Sequence, residues 1–161
     1  MIRYLRWAYA ITASLLVVAI VIQFLLAGIG VFAAGDFCNV VPDESFGCGF
    51  ALHAWFGRAV LSLLFLLVVM LSFAARAPWR VTGLAGALIG LFLLQGLLLF
   101  PYYDGIGPRA VSALHVVNGL LILIVALRLA GRARELVAEL PRSTERLPAK
   151  VLASPAGAKG G

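Results

Sequence analysis

The side chains best suited to bind a metal or exchange electrons are few here: two histidines, His53 and His115, and two cysteines, Cys38 and Cys48. Each histidine is followed four residues later by a glycine, Gly57 and Gly119. Two imidazoles facing each other across a helix bundle are the usual way to hold a b-type haem, each giving one axial nitrogen to the iron. On a helix, residue i+4 shares the face of residue i, so a missing side chain at Gly57 and Gly119 leaves room for a flat porphyrin. Arg58 and Arg109 are placed to pair with outward-directed propionates. A plainer assignment stands beside this one, with His53 an interfacial residue and His115 a hydrogen-bonded packing residue. Cys38 and Cys48 fit an extracytoplasmic disulfide, and closing so short a loop contributes on the order of 3 kcal/mol. A staple over the bundle and a redox-active dithiol are both open. Scattered spacing and an oxidising compartment argue against a Cys2His2 zinc site.

Four apolar runs must position these residues: 7–34, 52–75, 81–100 and 111–127. They dominate a chain of 161 residues that is 63% hydrophobic and only 12% charged, too little charge to cover a soluble domain. A helix needs about 20 apolar residues to cross the hydrocarbon of a bilayer. The fourth run reaches that length, to about residue 130, by including Arg128, whose stem snorkels toward the interface. Lipid offers backbone amides no water, so each run has to be a helix, and no alternating polarity suggests a barrel. The first run is too long for the apolar core of a signal peptide. The expected fold is all-α, a transmembrane up-down-up-down four-helix bundle over residues 1–131, followed by a basic, partly disordered tail over 132–161. Helix 4 is expected to run on as far as Leu140, with Pro141 stopping it.

Of 13 Lys and Arg, 11 fall on one side of these runs, which places both termini in the cytoplasm of a multi-pass cell-membrane protein. The same sidedness accounts for most of the +6 charge, without nucleic acid as a partner. The bilayer is the first partner; other membrane proteins or a second copy are further ones.

A weak internal repeat runs through the chain: Gln23 and Gln95 sit in helices 1 and 3, and His53 and His115 open helices 2 and 4. The glutamines are expected to join helices by hydrogen bonds, and Gly83, Gly86 and Gly90 to allow close packing of helix 3. Depth sets a difficulty. From His53 to Arg76 is 23 residues, but from His115 to Arg128 only 13, a mismatch of about 15 Å along a helix. It narrows if Arg132 marks the boundary. No nucleophile–base pair, phosphate loop or carboxylate dyad is present.

With Cys38 and Cys48, Ala-Leu-His53, Phe-Leu-Leu-Gln95-Gly and Ala-Leu-His115 in that order, the chain resembles one four-helix half of haem A synthase over about residues 8–130. It is similar, more closely, to a family of small bacterial four-helix membrane proteins. The resemblance implies a haem-binding fold with His53 and His115 as ligands. The synthase carries a catalytic glutamate three residues before the first histidine, where this chain has Phe50, so its oxidative chemistry is not expected here. Two function classes result: a membrane protein that binds one haem b near the outer leaflet for electron transfer or haem handling, or a cofactor-free accessory subunit of a larger membrane complex.

Overall fold

The structure, a computed structural model, describes residues 1–32, 50–99, 111 and 113–140. Among them it is all-helical. Helix α1 spans Ile2–Phe32, α2 Ala51–Ala74, α3 Trp79–Leu97 and α4 Leu114–Ala138, each long and apolar enough to cross a membrane. The expected architecture is present, with α1 starting earlier than the apolar pattern suggested and α4 ending two residues short of Leu140. The four helices close a ring in which α1 packs on α2 and α4, and α3 on α2 and α4.

Lipid tails are as apolar as leucine, so the ring is held by close packing and interhelical hydrogen bonds more than by the hydrophobic effect. The α1–α4 seam shows the close packing, with Ala10, Ala13 and Ala19 buried on one helix and Ala126, Ala130 and Ala133 on the other. Between α2 and α3 the rings of Phe65 and Phe92 lie 4.6 Å apart. The outer faces carry large apolar side chains such as Leu15, Leu66, Met70, Leu93 and Leu121, which suits a lipid solvent.

One packing expectation is corrected. A Cβ built on Gly83, Gly86 or Gly90 meets nothing within 4 Å, so these glycines do not pack α3 against the rest of the chain. They face outward, and the alanines of α1 and α4 take the close-packing role.

The α2–α3 turn is tight, with four residues between the helices. The Ala77 amide donates to the Ser72 carbonyl and the Arg76 amide to the Phe73 carbonyl, both at 3.0 Å. These are the two bonds of a Schellman cap. Arg76 takes the left-handed position at φ 50° that glycine usually fills, and Pro78 then starts α3. At the same end of the bundle, the Arg6 guanidinium donates to the Leu136 carbonyl of α4 at 3.4 Å, satisfying one of the orphan acceptors of that helix end.

The depth difficulty resolves in the length of α4. α2 ends at Ala74 and α4 at Ala138, so the two helices run to within about two residues of the same distance inward from their histidines. Arg128 is an exposed residue within α4 and does not mark its end.

Candidate functional site

The two halves of the bundle build the same clasp. In the first hairpin the Gln23 side-chain amide donates to the His53 backbone carbonyl at 2.9 Å, and His53 Nδ1 sits 3.1 Å from the Gln23 backbone carbonyl. In the second, the Gln95 amide donates to the His115 carbonyl at 2.9 Å, and His115 Nδ1 lies 3.1 Å from the Gln95 carbonyl. A carbonyl only accepts, so in each clasp Nδ1 carries a proton, and in the neutral ring the lone pair is then on Nε2. The Gln23 amide also approaches His53 Nε2 at 3.2 Å, which fits that tautomer. Both glutamines therefore join helices, as their setting suggested, and what they join is histidine.

The two rings come together edge to face. Their centroids are 6.3 Å apart and their planes are inclined at 61°. The sequence repeat thus has a spatial counterpart, with His53 and His115 brought together from opposite hairpins. Phe50 packs edge-on against His53 at 6.1 Å between centroids.

The glycines serve the clasps. A Cβ on Gly57 would stand 2.9 Å from Gln23 Nε2, and one on Gly119 would stand 3.2 Å from the tip of Phe24 and 3.6 Å from Gln95 Nε2. The room assigned from sequence to a flat ligand is taken in this structure by two consecutive side chains of α1 and by Gln95. Beyond Gly57 the backbone opens into a π-helical turn over Gly57–Leu61. Such a turn rotates the segment before it relative to the rest of the helix and is frequent at functional sites. Here the rotated segment carries His53, and the turn itself carries Arg58, which is exposed.

Asn118 completes the second clasp and went unnoticed in the sequence. It is buried; its amide donates to the Leu91 carbonyl at 2.8 Å and also to Gln95 Oε1. The available signal was a lone asparagine in an apolar run, one turn after His115. The first hairpin has Phe56 at the matching place, so the pseudo-symmetry is incomplete. Cys38, Cys48 and Arg109 lie outside the described residues.

Two imidazole nitrogens suit some metals and not others. Among the described residues no three His, Cys, Asp or Glu gather around a common point, whereas a bare zinc ion takes about four ligands. A porphyrin already supplies four equatorial nitrogens and needs only two axial ones. With iron about 2 Å from each Nε2 and each ring centre about 1 Å further on, axial imidazoles place their centroids about 6 Å apart. The observed 6.3 Å is close to that spacing, while the Gln23 amide stands 3.2 Å from His53 Nε2 and would have to withdraw for that nitrogen to reach a metal. The donor set fits a bis-histidine haem.

Comparison with known proteins finds no matching curated protein and no matching solved structure. The likeness to haem A synthase therefore rests on the residues quoted for it alone. Over residues 23–100, a stretch holding Gln23, His53, Gly57 and Gln95, the chain is similar to a family of unknown function (DUF6220).

Proposed function

We propose that this is a small membrane haem protein, with His53 and His115 holding one haem b on the side opposite the chain termini. The observation that carries this is the pair of rings brought together edge to face, 6.3 Å apart, each with Nδ1 tied to a carbonyl of the preceding helix. A second hydrogen bond of this kind fixes the orientation and tautomer of ligand histidines and raises their basicity. Gly57 and Gly119 let the glutamines and Phe24 close in around the histidines. Arg58, one turn along α2, and Arg109 are the cations assigned to the propionates. Bound haem supplies a one-electron couple. The protein's part is to hold both imidazoles by Nδ1 and bring their rings together from opposite hairpins, which suits electron transfer or haem handling better than bond-making chemistry.

The basic residues support an orientation with both termini in the cytoplasm, which puts the histidines toward the outer leaflet. The test is purification from haem-replete cells. Visible spectra of the unaltered protein should be low-spin and b-type, and His53→Ala or His115→Ala should each abolish the spectrum or convert it to high spin. A colourless protein sinks the proposal.

A second reading has its own observation. The outward glycines of α3 present a flat, small-residue surface to the bilayer, of the kind membrane helices use to approach one another. It supports an accessory subunit docked on a larger complex, and a colourless protein co-purifying with such a complex would favour it.

A further inference from the structure

At the end of the bundle away from the histidines, α1 and α4 enclose a groove of about 750 Å3. Arg3 stands at one end; Trp7, Ile11 and Val18 form its apolar wall; Ser14 and Arg134 meet across it. Arg134 donates to the Ser14 hydroxyl at 3.1 Å, and Ser14 in turn donates to the Ala10 carbonyl at 2.8 Å. The guanidinium is thereby drawn from α4 over the groove.

We propose that this groove binds an anionic phospholipid, its headgroup lying along the stretch from Arg3 to Arg134 and its upper acyl chain along Leu15 and Val18. Three features point there. Among the described residues no Asp or Glu lines the groove, and the nearby Glu135 is already paired with Arg132 at 2.9 Å. From Arg3 to Val18 the wall is about 22 Å long at a helix rise of 1.5 Å per residue, enough for a headgroup and the upper part of a chain. Trp7, half-exposed and lining the same groove as the two arginines, is the residue type that settles at the headgroup level. Basic pockets between membrane helices are established headgroup sites as a class. The chain's own tail is a poorer occupant, since residues 141–161 carry Arg142, Arg146, Lys150 and Lys159 against Glu145 and share the charge of the groove. This site is independent of haem.

The experiment uses the full chain with Trp55→Phe and Trp79→Phe, leaving Trp7 as the only tryptophan. It is reconstituted in phosphatidylcholine vesicles containing either brominated phosphatidylglycerol or brominated phosphatidylcholine as quencher. Trp7 should select the anionic lipid by about fivefold for each arginine engaged. That preference should fall toward parity in Arg3→Gln/Arg134→Gln and persist in Arg134→Lys. Should the double glutamine variant fail to insert, the parent is compared at about 0.01 M and about 1 M salt, where screening should shrink the preference. Equal quenching by the two lipids in the parent overturns the site, and so does a preference indifferent to both substitution and salt. Protection of Trp7 from both lipids in a protein that sediments as a dimer assigns the groove to a second copy instead.

Discussion

Gly57→Ala is the sharpest probe of the clasp. The new Cβ would stand 2.9 Å from Gln23 Nε2, closer than such contacts come, while that nitrogen holds 2.9 Å and 3.2 Å contacts to His53. The amide must leave. An intramolecular hydrogen bond contributes about 0.5–1.5 kcal/mol net, and those between membrane helices average about 0.6 kcal/mol. Two of them set the loss at roughly 1–2 kcal/mol. Replacing a helical glycine by alanine also gains about 0.5–1 kcal/mol, so the reference is Gly28→Ala, whose Cβ meets nothing within 4 Å. Gly119→Ala should cost less, under about 0.5 kcal/mol, because its first obstacle at 3.2 Å is the tip of the Phe24 ring, which yields by a few tenths of an ångström. Unfolding of the purified protein by sodium dodecyl sulfate in mixed micelles gives the three values. A cycle with Gln23→Ala isolates the cause, since Gly57→Ala should lose its excess cost once the amide is gone. The reasoning fails if Gly57→Ala matches Gly28→Ala, or if its cost survives in the Gln23→Ala background.

Three more predictions follow from named contacts. Gln23→Leu or Gln95→Leu should leave both histidines able to ligate but weaken haem retention by about 10–100-fold, read by haem transfer to an acceptor protein; unchanged retention would argue that the glutamines only join helices. Asn118→Asp should destabilise more than Asn118→Leu, because it removes the donor and sets a carboxylate against Gln95 Oε1 and the Leu91 carbonyl; the leucine variant should cost about 1–3 kcal/mol for leaving Gln95 Oε1 buried without that donor. Arg76→Gly should stabilise by about 0.5–1 kcal/mol, since glycine adopts the φ of 50° without strain; thermal unfolding in detergent measures it.

The membrane class and helix number were legible because lipid turns every apolar run into a helix, so length and composition suffice. The pairing of His53 with His115 was legible from their matched repeat positions. The π-helical turn was not, because a one-residue change in helix winding leaves no mark on a uniformly apolar pattern. The direction of the α3 glycines was hidden for a related reason. A helix apolar on every side does not reveal which face meets its neighbours and which meets lipid. Asn118 was overlooked because its significance lies in Gln95, twenty-three positions away and on another helix. The end of α4 was legible to within two residues, because Pro141 cannot continue a helix.

Each clasp is closed within one hairpin: Gln23 meets His53 across α1 and α2, and Gln95 meets His115 across α3 and α4. This bears on how the chain enters the bilayer during synthesis. A glutamine or histidine arriving alone in hydrocarbon is costly, but a partner already within the same pair of helices offsets that cost at once. The first two helices can leave the translocation machinery with the Gln23 amide and the His53 ring already paired before the last two have been made. The second pair can then do the same, with its extra polar residue, Asn118, held between its own two helices. Ring meeting ring across the hairpins would be the last event of assembly, when two units already settled in lipid come together side by side.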